Sequence, residues 1–298
     1  MSLHVTKTAD ALPSPQGRGV GGEGEAGWRA ELALAFDSTP IGTRLASRRH
    51  VGPLVVQRPL YPEGAGVCHA IIIHPPGGIA GGDSLEIDVT ATADAHALLT
   101  TPGASKLYKS CGRRASQRIR VCASDRACVE WLPQESIVFD GADALLALEV
   151  EVEDDASVLA WEIATLGREA MGERFDFGCL RTLVTVRHAD RIVLYEAGEV
   201  TGGSAWLDSP IGWRGARACG TFVFVGQAID DALLQAGRGS LAPWEGTAAV
   251  SRLTSKLLVA RYLGPSATEA RAAFVALWSR LRPAIAGRPA LPPRIWAT

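Results

Sequence analysis

From residue 28 onward the chain alternates apolar and polar positions with a period of two. Trp28, Ala30, Leu32, Leu34 and Phe36 fall on one face of a segment. Leu85, Ile87, Val89, Ala91 and Ala93 alternate with Ser84, Glu86, Asp88, Thr90 and Thr92, and Leu146, Leu148, Val150 and Val152 alternate with Glu149, Glu151 and Glu153. A period of two sends successive side chains to opposite faces of a sheet, so each segment predicts a half-buried strand. Short apolar runs at 70–73, 137–139, 158–161, 192–195 and 221–225 predict further strands, with turns at 75–78, 102–103 and 140–141 where Pro, Gly and Asp-Gly interrupt them. No helical periodicity stands out between residues 28 and 225.

The C-terminal quarter reads differently. Ser266-Ala267-Thr268-Glu269 has the form of a capping box, in which hydroxyl and carboxylate each satisfy a free backbone N–H. Ala270, Ala273, Phe274, Leu277 and Leu281 then recur at helical spacing, and Pro283 is expected to end that helix. A second helix is expected over 247–262, with Leu253, Leu257, Leu258 and Tyr262 on its apolar side. The expected fold is mainly β: many short strands, then about two α-helices near the C-terminus. No repeat of fixed length is visible, and no linker divides residues 28–298, which read as a single domain. Residues 1–27 are rich in Gly, Pro and small residues and lack the apolar stretch of an export signal, so a disordered tail and a cytoplasmic location are expected.

Composition narrows the function. Hydrophobic residues make up 47% and charged residues 21% of the 298, which is globular. The net charge of −2 argues against a polyanion-binding protein, and no apolar run approaches the roughly 18 residues that span a bilayer. None of the four lysines follows a glycine, so there is no P-loop and no reason to expect nucleotide hydrolysis. Neither H-E-x-x-H nor G-x-S-x-G occurs, and a G-x-G-x-x-G at Gly17, Gly19 and Gly22 lies in the tail with no strand before it. The six cysteines, at 68, 111, 122, 128, 179 and 219, include no C-x-x-C and are expected as buried thiols rather than disulfides. Cys68 and His69 are adjacent, so on a strand they point to opposite faces, and a structural zinc site is not expected.

Three clusters carry candidate chemistry. His74-Pro75-Pro76-Gly77-Gly78-Ile79-Ala80-Gly81-Gly82-Asp83 forces a tight, irregular backbone. It reads either as a turn or as a loop that approaches a partner or an ion, with His74 and Asp83 as candidate ligands. Glu135 and Asp140 flank a short apolar strand, as solvated strand ends or as paired carboxylates for acid–base or cation chemistry. Glu162 sits inside an apolar strand, where a carboxylate is costly unless paired or facing a wet cavity; Arg168 is a candidate partner.

Taken in order, these motifs resemble one family. The set is Gln57-Arg58-Pro59-Leu60-Tyr61-Pro62-Glu63, the His74–Asp83 stretch, Leu99-Thr100-Thr101-Pro102-Gly103-Ala104-Ser105-Lys106, Glu130-Trp131-Leu132-Pro133-Gln134-Glu135, Phe139-Asp140-Gly141-Ala142, Leu166-Gly167-Arg168 and Pro293-Arg294-Ile295-Trp296. Together they resemble the urease accessory protein UreD family, called UreH in some organisms, from about residue 28 to the end. The resemblance implies stacked, helically arranged β-sheets and a role without catalysis. It implies a maturation chaperone that binds UreF and, through it, the GTPase UreG, docks on apo-urease and supports GTP-dependent nickel insertion.

No tightly bound cofactor is implied, only transient nickel. Imidazole and thiolate hold a late transition metal tightly, so scattered carboxylates suit a passing ion better. Asp83, Glu135, Asp140 and Glu162, with His74, are the resulting candidates, and Pro75, Pro76, Gly77, Gly78, Gly81, Gly82 and Arg168 form a structural or partner-facing set. A carbohydrate-active β-helix enzyme using Glu135 and Asp140 is the alternative, although it would predict an exported chain and leaves the late helices unexplained.

Overall fold

A computed structural model describes residues 27–153, 155–241, 244 and 246–297. The expected tail therefore lies, except for Gly27, outside the described residues. The strands are β1 (Arg29–Thr39), β2 (Gly42–Val51), β3 (Val55–Val56), β4 (Cys68–Ile73), β5 (Ser84–Ala91), β6 (His96–Thr100), β7 (Ser105–Leu107), β8 (Ala115–Ala123) and β9 (Cys128–Trp131). They continue with β10 (Ser136–Val138), β11 (Asp143–Val152), β12 (Ser157–Leu166), β13 (Cys179–His188), β14 (Arg191–Thr201) and β15 (Ala218–Val225). After α1 (Asp231–Ser240) come β16 (Thr247–Thr254), β17 (Leu257–Gly264) and α2 (Ala267–Ala286).

Two large sheets face each other. The first runs β14-β13-β11-β8-β5-β1-β2 and the second β16-β17-β15-β12-β9-β6-β4-β3, with β7 and β10 paired beside β12. In the middle of the chain each coil lays one strand in the first sheet and the next in the second: β5 then β6, β8 then β9, β11 then β12. Neighbouring coils pair in parallel. The result is the stacked, solenoid-like arrangement expected.

The repeat that the sequence hid is a turn. Ala93-Asp94 and Asp125-Arg126 take positive φ between the sheets, and Ala189-Asp190 does the same in the β13–β14 hairpin. The alanine after each of the first two turns, Ala95 and Ala127, is buried. Loops of different length between coils erase any fixed period.

The packing explains two kinds of strand pattern. The first sheet buries mainly one face, so β5 alternates cleanly and β11 does so except at the buried Ala147. The second sheet is covered on both faces, so β4, β6 and β12 read as nearly continuous apolar runs. One core lies between the sheets, with Leu34, Ile87, Val121 and Leu148 meeting Leu99, Val129 and Ala160. The second core lies under the helices, where Trp161, Phe222, Phe224 and Leu258 pack on Phe274, Leu277 and Trp278. β12 serves both cores on alternate residues.

Three expectations need correction. Residues 247–262 are not a helix but most of the antiparallel hairpin β16–β17. Leu253, Leu257, Leu258 and Tyr262 fit a helical stripe by spacing, yet β17 lies beside β15 in a sheet buried on both faces, and Leu253 is exposed. The first of the two late helices is instead α1, capped by Asp230, which accepts the Leu233 N–H at 2.7 Å.

Pro283 does not end α2, which continues to Ala286 and closes on Gly287 in the left-handed region. The lost backbone bond is outweighed because Arg282 and Ile285, on either side, are buried against the sheet. The capping box is half made: Ser266 Oγ accepts the Glu269 N–H, while the Glu269 carboxylate accepts from Gly246 N at 2.7 Å.

All six cysteines are free, one of them, Cys111, exposed and Cys68 fully buried. Cys68 enters the core between the sheets while His69 faces the helices, as alternation requires. Among the described residues no helix is long and apolar enough to cross a membrane.

Candidate functional site

The His74–Asp83 loop connects β4 to β5 and is held by its own backbone. Ile79 N–H reaches Lys106 O at 2.7 Å, and Gly82 N–H reaches Arg114 O at 3.1 Å. Gly77 and Gly82 take φ of 73° and 97°, where a Cβ is penalised. Gly78 lies flat on Tyr108, whose ring a Cβ would meet at 2.2 Å, and Gly81 lies against Ser110 and Arg113 O.

Asp83 closes this loop. Its two oxygens accept N–H groups from Trp28 and Ala80, each at 2.8 Å, tying the start of β1 to the loop. His74 is half-buried. Burial lowers its pKa, opposed by the nearby Asp83 charge.

Asp140 has a similar task in the next layer. Its Oδ1 accepts from the backbone of Asp176 and Phe177, both at 2.8 Å, and so pins the segment before β13. Glu135 and Asp140 lie at opposite ends of β10, and Asp140 Oδ1 is committed to backbone. Glu135 keeps one buried carboxylate oxygen without a hydrogen-bond partner.

Arg168 is not the partner of Glu162. It forms a two-pronged ion pair with Glu173, Nη2 to Oε1 at 2.7 Å, and lies 4.6 Å over the Phe139 ring.

Glu162 stands apart from the other acids. On β12 it shares the inter-sheet face with Ala160 and Ala164. It borders a cleft of about 330 Å³ that also touches Leu148, Val184, Thr221, Arg261 and Glu196. Its Oε1 accepts the Trp131 indole N–H at 2.9 Å. Burial raises its pKa to about 7, the indole bond opposing the rise, so near neutral pH it is poised between acid and carboxylate. Across the cleft Arg261 pairs with Glu196 and so bridges the second sheet to β14 of the first.

A buried charge network went unseen in the sequence. Arg282 on α2 binds Glu63 through Nη1 and Nη2, at 2.7 and 2.8 Å, and Glu130 through Nη2 and Nε, at 2.9 and 3.0 Å. Glu63 is bonded to His69 at 2.8 Å, and Glu130 to His96 at 2.6 Å. Trp278 Nε1–H also donates to Glu130, and Arg282 to the Pro289 carbonyl. The signal was present: Glu130 interrupts an apolar strand just as Glu162 does, and Arg282 interrupts the apolar face of α2.

Among the described residues no three His, Cys, Asp or Glu side chains converge on a point where they could hold one metal ion. Asp83 and Asp140 are engaged by backbone N–H groups, Glu135 lies at the β10 end, and in the Glu162 cleft the second acid, Glu196, is paired with Arg261. Such single carboxylates can touch a passing cation but cannot enclose it.

The architecture is a two-sheet solenoid backed by two helices. A family model described as UreD urease accessory protein matches residues 28–297. Urease accessory protein UreD of Azoarcus sp. (strain BH72) is 50% identical over 272 residues, covering 91% of this chain and 95% of that protein. Those of Dechloromonas aromatica and Pseudomonas aeruginosa are each 46% identical, at the same coverage of both chains. The chain belongs to the UreD family of urease accessory proteins, and its role lies in urease maturation.

Proposed function

We propose that the chain is a non-catalytic scaffold which, with UreF and the GTPase UreG, docks on apo-urease in the cytoplasm and supports GTP-dependent nickel insertion. The family match along the whole strand-and-helix domain carries this reading. The lack of a P-loop supports it, because the nucleotide then belongs to a partner.

Within this scaffold the inter-sheet cleft at Glu162 is the best place for transient nickel. A single carboxylate whose pKa lies near neutrality, with Glu196 across the cleft held by Arg261, gives up a divalent cation easily, whereas a closed set of imidazoles and thiolates would trap it. Asp83 and Asp140 act by holding loops, and they affect transfer through assembly.

Reconstitution tests this directly. Complexes of the chain, UreF, UreG and apo-urease are formed with wild type or Glu162→Gln, and urease activity and bound nickel are read at limiting nickel. The Gln variant is expected to assemble normally and to deliver several-fold less nickel, with recovery in excess nickel. Full activation by assembled Glu162→Gln at limiting nickel removes the cleft from the path.

A further inference from the structure

Two rows of paired residues bound the Glu162 cleft. In the second sheet the register sets Glu162 beside Thr221 and Thr221 beside Arg261. In the first it sets Leu148 beside Val184 and Val184 beside Glu196. Residues paired across neighbouring strands share a face, so the two rows look at each other across the cleft that they line. Each row ends in a charge, Arg261 on one side and Glu196 on the other.

Those two charges meet. Arg261 Nε donates to Glu196 Oε1 at 3.2 Å, and Nη2 donates to Oε2. β14 is the outermost strand of its sheet, and only β16 lies beyond β17. The pair therefore joins the sheets near their free edges, and the Arg261 and Glu196 side chains are 46% and 34% exposed. A partly exposed ion pair of this kind is weak enough to open and close. Glu162 lies deeper, with one oxygen on the Trp131 indole.

Among the described residues that line the cleft, the charges are those of Glu162, Glu196 and Arg261. Cys219 lines it too, but burial pushes that thiol up to about 12, so it stays protonated near neutral pH. Glu162 and Arg261 stand two strand spacings apart, about 10 Å between backbones. That span is within the combined reach of the two side chains, so an Arg261 without Glu196 can turn to Glu162.

We propose that the Arg261–Glu196 ion pair gates the Glu162 cleft for a divalent cation. Paired, the two close the mouth and leave Glu162 as the single available carboxylate. A doubly charged ion at the mouth draws Glu196 from Arg261 and passes to Glu162, and the pair re-forms behind it. The re-formed pair keeps Glu196 from joining Glu162 in holding the ion, so the cleft does not retain it. The gate rests on the reading of Glu162 as the place for transient nickel.

The test uses the full chain and nickel(II) itself. Affinity is read by competition with a metal-sensitive dye, and release by stopped-flow transfer to a chelator. Arg261→Gln leaves Glu196 unpaired in the cleft with Glu162, and is expected to bind nickel about tenfold more tightly and to release it more slowly than wild type. Glu196→Gln frees Arg261 to occupy Glu162, and is expected to bind nickel more weakly than wild type. Both variants break the same ion pair, so a bridge that only held the sheets together would make them change alike. Adding Glu162→Gln to Arg261→Gln is expected to abolish the gain. Shifts of the same sign, no shift in Arg261→Gln, or a gain that survives Glu162→Gln overturns the gate. If Arg261→Gln does not fold, Glu196→Gln decides alone, and an affinity equal to or above wild type overturns the gate. These readouts involve no urease, so a failed gate is told apart from a failed nickel path, which urease activation by Glu162→Gln reads.

Discussion

Replacing Arg282 by Met tests what fastens α2 to the sheets. The Arg282 side chain is 1% exposed and its partners Glu63 and Glu130 are 8% and 2% exposed. Methionine fills much of the same volume but leaves two buried carboxylates without their shared cation. Removing one partner of a buried pair costs about 3–5 kcal/mol, because the remaining charge stays uncompensated. In a domain of this size that is a drop in Tm of about 10 °C. Urea unfolding followed by tryptophan fluorescence reads it well, since Trp278 and Trp296 lie within the affected cluster.

The pH dependence gives a second check. Glu130 is held down to about 2 despite burial, by His96 and Arg282, from an ordinary 4.5. A depressed carboxylate stabilises the fold above its unfolded pKa, and that stability is lost as pH falls from about 4.5 toward about 2. The penalty of Arg282→Met therefore shrinks as the medium becomes acidic, because the orphaned carboxylates are protonated. His96 is raised to about 10, so its contribution is complete below about 6.5 and is lost as pH rises through about 10. Adding Glu63→Gln and Glu130→Gln to Arg282→Met should recover more than half the loss. A single-variant change below about 1 kcal/mol at pH 7, or no recovery in the triple variant, refutes the role of the charge network.

Other outcomes follow from the remaining sites. Glu162 is raised to about 7, so its contribution is largest below about 4.5 and is lost as pH rises through about 7; Glu162→Gln should therefore stabilise the fold at pH 8 by about 1–3 kcal/mol, measured by urea unfolding, and change little at pH 4. Asp83→Ala should weaken the fold and complex formation together by about 1–2 kcal/mol, because two backbone N–H groups lose their acceptor; a variant that assembles normally yet fails only in nickel delivery would return Asp83 to the nickel path. Gly78→Val should lower thermal stability by more than about 2 kcal/mol through its clash with Tyr108, and Gly77→Ala, in open space, by about 1 kcal/mol through φ alone. The purified chain should hydrolyse no GTP, and turnover above contaminant level in a phosphate-release assay would contradict the assignment of nucleotide chemistry to a partner.

Much of the fold was legible because the first sheet buries mainly one face. Leu85–Ala91 and Leu146–Val152 alternate, and alternation identifies a strand without help from context. The hairpin β16–β17 was misread because β17, buried on both faces at Leu257–Ala260, carries a continuous apolar run from which a helical stripe can be selected. The solenoid repeat was hidden because what recurs is a positive-φ turn followed by a buried alanine, at spacings that loops make unequal.

For the candidate site, residue type pointed to acids but not to their partners. Asp83 and Asp140 look alike in sequence to a cation ligand and to a turn cap, and only the backbone N–H groups aimed at them decide the matter. Glu162 and Glu130 both interrupt apolar strands, yet one meets a cleft and the other a cation 152 residues away in sequence. Strand alternation fixes which face a residue takes, and the tertiary packing of α2 decides what waits there.

Whether urease needs this chain to acquire nickel is the most direct test. A urease operon from which only the UreD coding sequence has been removed is expressed in a host without urease, with or without this chain supplied in trans. Urease activity and nickel per purified urease are then measured. The chain is predicted to restore both, and to co-purify with UreF and UreG on apo-urease. Soluble chain that co-purifies with neither protein and leaves urease nickel-free would contradict the scaffold role.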